Sequence, residues 1–417
     1  MSGAVNLKAD FLKPIEGGVT APKGFLASGV RCGLKTQGPD LALIVSDRPA
    51  AAAAMFTSNV VKAAPVVVSM KHVSSGWVRA VVANAGNANA CTREQGLRDA
   101  EAMARHTAEL LRVSPQEVLV ASTGVIGHLL PMDKVLKGIK DAVSSLSASG
   151  SGDAAKAVMT TDTRPKEYAF EMAIPSGSEA SGCRKVRVGG IAKGSGMICP
   201  NLATMLCFIT TDAPVSPTAL GQALKNAVDA SFNCLTVDGD GSTNDTVFAL
   251  ANGAVGGPNL EEDRKQYSLF CEGLTELCCL LARELARDGE GATKLVTVVV
   301  EGAADDAQAR AAAFAVANSN LVKTALFGND PNWGRVLAAA GRSGAQFSLD
   351  ETSLYFGRTP VFENGSPVDF NADELRAVLS AGEVEILLRL GGGPGCARYY
   401  TCDLSYDYVR INAEYHT

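Results

Sequence analysis

Short apolar runs alternate along the chain with longer amphipathic segments. Runs rich in Val, Ile and Leu at 41–45, 78–83, 118–121, 204–210 and 295–300 predict buried strands. Between these runs, apolar residues recur at three- and four-residue spacing, which predicts helices with one buried face. The alternation of the two patterns predicts an α/β fold.

Helix start signals bound several of the amphipathic segments. Thr92 and Gln95 have the spacing of a capping box, and Ser114 and Ser216, each followed by proline, predict two further helix starts. The longest helix is predicted over about 260–287, where apolar residues form one continuous stripe.

Glycine-rich strings divide into loops and turns. Small polar residues at 144–152 and 176–182 predict exposed loops. The string at 189–195 lacks the Gly-Lys-Ser/Thr ending of a phosphate-binding loop, and the one at 391–395 lacks the third glycine of a dinucleotide fingerprint. Both are therefore predicted to be turns.

Composition excludes several classes of protein. The chain has 417 residues, 47% of them hydrophobic, so it can bury a large core. Its formal charge of −6 and its lack of Lys/Arg runs argue against nucleic acid and anionic membranes as partners. Its 11 cysteines are scattered without a C-x-x-C pair, which argues against a disulfide framework and a zinc ribbon. No signal peptide or apolar run of about 18 residues is present, so a soluble cytoplasmic protein is expected.

Metal-site signatures also fail. The acidic string at 238–245 is similar to a calcium loop, but Thr243 stands where that loop needs glycine and Ala249 where it needs glutamate. The four histidines have no metal-ligand spacing. The string at 341–345 lacks the last glycine of a serine elbow. Neither a metal nor an organic cofactor is expected.

Thr204 is a candidate nucleophile. It begins an apolar run after a loop rich in glycine, so its hydroxyl is predicted to be buried and in need of a partner. A threonine without a neighbouring histidine can use its own α-amine as the general base, provided that the chain is cut immediately before it. On spacing alone, a threonine that merely starts a strand remains the alternative.

Residues 193–211 (KGSGMICPNLATMLCFITT) surround Thr204, and this string resembles the self-cleavage motif of the ornithine acetyltransferase, or ArgJ, family. Eight strings, that one included, resemble the family and follow its order along nearly the whole chain. They are residues 84–96 (NAGNANACTREQG), 122–127 (STGVIG), 160–163 (TTDT), 193–211 (KGSGMICPNLATMLCFITT), 236–246 (TVDGDGSTNDT), 289–294 (GEGATK), 327–335 (FGNDPNWGR) and 410–417 (RINAEYHT).

This resemblance implies a fold and a division of the chain. The expected fold is a four-layer α/β/β/α sandwich core, shared by ornithine acetyltransferases and DmpA-type enzymes, with a smaller C-terminal domain. Self-cleavage between Ala203 and Thr204 would give an α chain of residues 1–203 and a β chain of residues 204–417, with the C-terminal domain starting at about 290. The two chains would remain one folding unit.

The resemblance also implies roles for individual residues. Thr204 would be the nucleophile, and Thr123 and Gly124 would donate hydrogen bonds to the oxyanion. Lys193 would pair with a substrate carboxylate or lower the pKa of the Thr204 amine. Glu290 would bind the ammonium of an ornithine-like ligand. Further substrate contacts would be Thr160, Asn412 and Thr417.

The C-terminal tail is expected to matter. The apolar and aromatic residues at 406–411 predict a final strand that would anchor Asn412 and carry Thr417 to the site. His416 stands where the family pattern has arginine, so the pH dependence of the site is expected to differ if that side chain contributes charge.

The implied reaction transfers acetyl from N2-acetyl-L-ornithine to L-glutamate through acetyl-Thr204, in arginine biosynthesis. The resemblance leaves open whether acetyl-CoA is a second donor, and it implies a heterotetramer of two α and two β chains. The alternatives are an N-terminal-nucleophile aminopeptidase or amidase of the same fold, and a non-catalytic amino-acid-binding protein in which Thr204 is structural.

Overall fold

The structure is a computed structural model that describes residues 11–175, 182–199 and 205–414. Within those ranges the strands form two sheets. The first sheet contains β1 (Leu12–Pro14), β2 (Phe25–Val30), β3 (Leu41–Phe56), β4 (Trp77–Asn87), β5 (Val118–Val125), β6 (Lys166–Pro175), β7 (Cys183–Lys193), β8 (Leu206–Thr211) and β9 (Thr246–Ala251). The second contains β10 (Leu295–Ala303), β11 (Ser353–Phe356), β12 (Thr359–Glu363), β13 (Ser366–Pro367), β14 (Glu383–Arg389) and β15 (Gly395–Cys402).

Helices pack on the outer faces of the two halves of the first sheet and on the second sheet. They are α1 (Ala64–Val73), α2 (Arg93–Leu111), α3 (Met132–Ser144), α4 (Ser151–Ala157), α5 (Pro217–Asp229), α6 (Arg264–Arg287), α7 (Asp306–Ala317), α8 (Asn320–Phe327), α9 (Trp333–Gly341), α10 (Ala372–Leu379) and α11 (Tyr406–Glu414). The strands predicted at 41–45, 78–83, 118–121 and 295–300 lie within β3, β4, β5 and β10. The strand predicted at 204–210 overlaps β8, which begins at Leu206. The mixed α/β class is therefore confirmed.

The long strand β3 joins the two halves of the first sheet. The strand order is β1-β6-β7-β8-β9-β3-β4-β5, with β2 also paired to β3. The first half of β3 pairs with β2 and β4, and its last six residues pair with β9. Two neighbouring pairs, β8–β9 and β4–β5, are parallel.

Alternating side chains divide the core into layers. Along β8, Cys207 and Ile209 pack in one cluster with α5 and α6, whereas Leu206 and Phe208 belong to a second cluster. That second cluster also holds Ile44 and other residues of β3, β4 and β5, so it lies between the two halves of the sheet. The opposite face of β3, β4 and β5 packs on α2 and α3. The order helix, sheet, sheet, helix is the predicted four-layer sandwich, and it follows from strict two-residue alternation.

The second sheet has its own hydrophobic core and is the smaller C-terminal part expected from the sequence. Residues of β10, β11, β14 and β15 form this core with α7 to α10. Helix α6 contacts β10 and β15, and its Arg283 pairs with Glu383 at 3.1 Å. The loop between α6 and β10 is thereby fixed between the two parts of the molecule.

Three predicted helix starts have different outcomes. Ser216 caps α5, its Oγ accepting from the Ala219 N–H at 3.3 Å. Ser114 precedes only a 3₁₀ turn over Pro115–Glu117, so the prediction of a helix there is wrong. Helix α2 does begin after Thr92, but the Thr92 hydroxyl donates to Asn89 at 2.8 Å and no capping box forms.

The prediction of a turn at 189–195 is wrong for most of the string. Residues 189–193 belong to β7, which pairs with β6 and β8. The glycines serve close packing here: a Cβ on Gly189 would lie 1.8 Å from the Gly18 carbonyl oxygen. Lys193 is consequently the last residue of a strand.

The prediction of a final strand at 406–411 is also wrong, because Tyr406–Glu414 forms helix α11. The Asp407 N–H donates to Ser405 Oγ at 3.1 Å, and Asp407 pairs with Arg410 one turn later at 3.0 Å. Tyr406 is 84% exposed, so the aromatic residues that suggested a strand do not form a buried face. Of the predicted loops, 144–152 connects α3 to α4, and 176–181 lies outside the described residues.

Candidate active site

One cavity brings together the site residues that the sequence nominated and the structure describes. It encloses about 620 Å³, open solvent included. The nominated residues on its wall are Thr123, Gly124, Thr160, Lys193, Glu290 and Asn412. The remaining nominated residues, Ala203, Thr204 and Thr417, lie outside the described residues, as does His416.

Lys193 is a buried cation on the cavity wall. Its side chain is 2% exposed, and its Nζ donates to Thr160 Oγ1 at 2.8 Å and to Thr123 Oγ1 at 3.3 Å. Burial lowers the pKa of Lys193, and the nearby Asp162 carboxylate, 3.9 Å away, opposes that shift. Because an ammonium can only donate, each threonine hydroxyl keeps its own hydrogen for another acceptor.

Gly124 follows Thr123 near the end of β5, beside β4. Its φ of +131° lies in a region that favours glycine. A Cβ at this position would lie 2.4 Å from the Gly86 carbonyl carbon and 2.5 Å from the Asn87 nitrogen. The backbones of β4 and β5 therefore approach too closely here for any side chain.

Glu290 also lies on the cavity wall, held by the backbone of Ser195 and by the side chain of Asn412. Its backbone N–H donates to the Ser195 carbonyl at 2.9 Å. The Asn412 side-chain amide donates to Glu290 Oε2 at 2.8 Å and to the Tyr408 carbonyl at 3.0 Å. A Cβ on Gly196 would come within 2.3 Å of the Glu290 carboxylate, so glycine lets that loop reach the carboxylate. Helix α11 thus brings Asn412 to the site.

Sequence reasoning missed a group of buried charges behind Lys193. The Lys166 ammonium lies 2.6 Å from both Asp162 Oδ1 and Asp288 Oδ2. Burial would raise the pKa of Asp162, but Lys193 and Lys166 together hold it well below its ordinary value. Asp162 lies in the quoted TTDT string, and Lys166 follows it by four residues. No local pattern distinguishes Asp288.

Asp245 was also missed, although it lies within the quoted string 236–246. It is fully buried, and its Oδ1 accepts from the Met205 N–H at 2.7 Å. Its Oδ2 has no hydrogen-bond partner among the described residues. Burial raises the pKa of Asp245 well above its ordinary value of 3.8. A buried carboxyl with this pKa shift favours the neutral form.

The cavity lies at the start of β8. Lys193 pairs with Leu206 in the β7–β8 register, and the Met205 carbonyl accepts from the Thr246 N–H at 3.1 Å. The loop before β9 contributes Asn244, whose side-chain amide donates to the Ala88 and Ser122 carbonyls at 2.7 and 2.8 Å. Hydrogen bonds with the neighbouring segment of the chain therefore hold Met205 in place just before β8.

Comparison with known proteins identifies the family. The sequence profile of the ArgJ family matches residues 26–417. The chain belongs to the ArgJ family. The arginine biosynthesis bifunctional protein ArgJ of Symbiobacterium thermophilum is 51% identical over 406 residues, which are 97% of this chain and 99% of that protein. The protein of the same name from Bacillus subtilis is 44% identical over 414 residues, 99% of this chain and all of that protein.

A crystal structure of an ArgJ protein is also similar. The chain from Bacillus halodurans is 41% identical, covers 50% of this chain and 98% of its own length, and has a TM-score of 0.49. Within the described part of the ArgJ-family chain, no group of three or more His, Cys, Asp or Glu side chains could hold a metal ion. Nor does any described helix have the length and hydropathy to cross a membrane.

Proposed function

We propose that this ArgJ-family protein is a glutamate N-acetyltransferase of arginine biosynthesis, which cuts itself between Ala203 and Thr204 and moves acetyl from N2-acetyl-L-ornithine to L-glutamate. The observation that carries the proposal is that one cavity is lined both by a buried lysine, Lys193, and by a carboxylate, Glu290, near the start of β8. An amino acid with a carboxylate at one end and an ammonium at the other matches that pair of charges.

In this proposal the nucleophile is Thr204. The residue that follows it in the sequence, Met205, donates its N–H to Asp245. Thr204 Oγ would attack the acetyl carbonyl, and the α-amine freed by cleavage would take the proton. The positive charge of Lys193 would disfavour a second positive charge on this amine and so favour the amine's neutral, basic form.

Thr123 and Gly124 would stabilise the oxyanion. Thr123 Oγ1 accepts from Lys193 Nζ, so its own hydrogen is available to a substrate oxygen. The Gly124 backbone N–H would be the second donor. Removing one such donor typically lowers the rate about 100- to 1,000-fold.

Substrate binding would use the two charged walls. Lys193, with Thr160, would hold the α-carboxylate of acetylornithine, and Glu290, with Asn412, would hold its side-chain ammonium. Thr417 is included as a contact by resemblance to the family. After ornithine leaves, glutamate would accept the acetyl group by the reverse steps. Acetylation of the same threonine by acetyl-CoA would give a second activity. The relatives' name, arginine biosynthesis bifunctional protein, supports this part of the proposal.

The remaining parts of the proposal concern assembly. Cleavage would give an α chain of residues 1–203 and a β chain of residues 204–417, assembled in the cytoplasm as a heterotetramer of two of each. The β chain would include the C-terminal domain from about residue 290. Native mass spectrometry of the purified protein would give the chain composition directly.

Product analysis tests the reaction. With N2-acetylornithine and glutamate supplied together, we expect equal amounts of ornithine and N-acetylglutamate. Acetate released at the same rate with or without glutamate would contradict transfer and would indicate an amidase of the same fold. No turnover of any acetylated amino acid, with an intact chain, would indicate a binding protein.

Substitution of the nucleophile tests the assignment of Thr204. We expect Thr204→Ala to give one uncut chain without activity, because the change removes both the group that attacks the Ala203 carbonyl and the acetyl carrier. Thr204→Ser should still be cut. Thr218→Ala, an exposed threonine on α5, is the matched control and should be cut and active. Two fragments from Thr204→Ala would refute the assignment.

A further inference from the structure

A chain of ion pairs runs behind the cavity, and Lys166 is its centre. Asp162, Lys166, Lys193 and Asp288 are 7%, 2%, 2% and 5% exposed. The Lys166 ammonium bridges the two aspartates at 2.6 Å each, and Asp162 also faces Lys193 at 3.9 Å. Lys166 itself does not line the cavity.

All four carboxylate oxygens of Asp162 and Asp288 accept a hydrogen bond. Asp162 accepts from the Gly194 N–H at 2.7 Å and the Thr160 N–H at 3.0 Å, and Asp288 accepts from the Thr163 N–H at 3.1 Å and from the Thr163 hydroxyl. Two positive and two negative charges balance. Buried ion pairs often stabilise proteins no more than well-packed apolar side chains do, so stability alone does not explain this arrangement. Fixed geometry is what it provides.

The two ends of the chain of ion pairs hold the two charged walls of the cavity. At one end, Asp162 is bonded to the backbone of Gly194, next to Lys193. At the other, the Asp288 carbonyl accepts from Ser195 Oγ at 2.6 Å, and the Ser195 carbonyl accepts from the Glu290 N–H at 2.9 Å. Lys166 therefore connects the backbone that carries the cation to the backbone that carries the carboxylate.

We propose that Lys166, through Asp162 and Asp288, fixes the separation between Lys193 and Glu290 and thereby selects the chain length of the diamino acid that the cavity binds. Lys166 is a positioning residue. The inference rests on the proposed function, since it takes Lys193 as the partner of the carboxylate and Glu290 as the partner of the ammonium. A difference of one methylene in a fitted site changes kcat/KM by about 10- to 200-fold.

The test measures selectivity in the intact protein. Values of kcat/KM are measured, with saturating glutamate, for N2-acetylornithine, for its shorter homologue N2-acetyl-2,4-diaminobutyrate and for its longer homologue N2-acetyllysine. We expect the wild-type protein to prefer N2-acetylornithine by about tenfold or more. Lys166→Met combined with Asp288→Asn removes one charge of each sign and leaves Asp162 paired with Lys193. In this variant we expect the preference to fall at least about fivefold.

Two further variants separate selectivity from stability. Lys323→Met removes another buried lysine, which is bonded to Thr401 at 2.9 Å and does not line the cavity, and it should leave the preference unchanged. Lys166→Arg keeps the charge but has a larger head group, so it should shift the preference towards N2-acetyllysine. Lys166→Arg decides the question if the double variant does not fold.

The outcomes distinguish the two proposals. An equal loss of kcat/KM for all three substrates, with the preference unchanged in the Lys166 variants, would overturn this inference and leave the proposed function standing. A lowered preference in Lys323→Met would overturn it as well, since any buried lysine would then have the same effect. Failure of the wild-type protein to transfer acetyl from N2-acetylornithine would overturn the proposed function and this inference together.

Discussion

Gly124→Ala is expected to reduce acetyl transfer sharply because of where the added methyl group would lie. Its Cβ would be 2.4 Å from the Gly86 carbonyl carbon, whereas ordinary contacts begin at 3.4 Å. The two backbones would therefore have to separate by about 1 Å, the difference between these distances. The atoms that the methyl group would meet are backbone atoms of Gly86 and Asn87 in β4, so no flexible side chain can relieve the clash. A displacement of this size at a reacting centre typically lowers the rate about 100-fold.

The expected change is in kcat. An oxyanion donor acts on the transition state more than on bound substrate, so kcat and kcat/KM should fall together by about 100- to 1,000-fold. Initial rates of N-acetylglutamate formation, divided by the cut fraction from intact mass, give the result. Gly127→Ala is the matched control: it has a φ of +88°, but its Cβ would meet nothing within 4 Å. Activity of Gly124→Ala within a factor of about ten of wild type, or an equal loss in Gly127→Ala, would refute the reasoning.

Three further predictions concern the intermediate, the tail and Asp245. A covalent acetyl-threonine implies parallel double-reciprocal lines when acetylornithine and glutamate are varied together, and intersecting lines would contradict it. Deleting residues 413–417 should leave two fragments but remove most transferase activity, because the end of α11 positions Asn412; near-normal turnover would show that the tail is dispensable. Asp245 binds its proton more tightly in the folded protein than in the unfolded one, so the free energy of unfolding should fall as pH rises above about 4. In urea titrations, the free energy of unfolding of Asp245→Asn should depend less on pH than that of the wild-type protein.

The local sequence predicted most of the layered core. Strand β8 has an apolar residue at every position of its first half, and this continuous run predicted a buried strand. Helix α5 has a serine–proline start and a regular apolar stripe, and these two local signals predicted the helix. Glycine misled the prediction for β7. Gly189 signals a turn locally, but its role is to admit the Gly18 backbone, which lies 171 residues away in the chain.

The candidate site was predicted by motif and only partly by physics. Thr123 and Lys193 were nominated because their strings resemble a family, and the structure brings both to one cavity. Lys166 and Asp288 form an ion pair across 122 residues, and neither position differs from an ordinary surface residue in its local pattern. Such contacts depend on tertiary structure, which no short window of sequence contains. The role of Thr204 stays a prediction.

The strand order of the first sheet has a consequence for renaturation. Strands β8 and β9 lie between β7 on one side and β3 on the other. If the chain is cut before Thr204, these two strands belong to one polypeptide and both of their outer neighbours belong to the other. Neither polypeptide then contains all the strands of the first sheet, so recovery from denaturant becomes a second-order process that depends on protein concentration. An uncut chain, by contrast, would fold in a first-order process. Each molecule would thus acquire its structure once, before the cut, and dilution after denaturation would make the loss permanent.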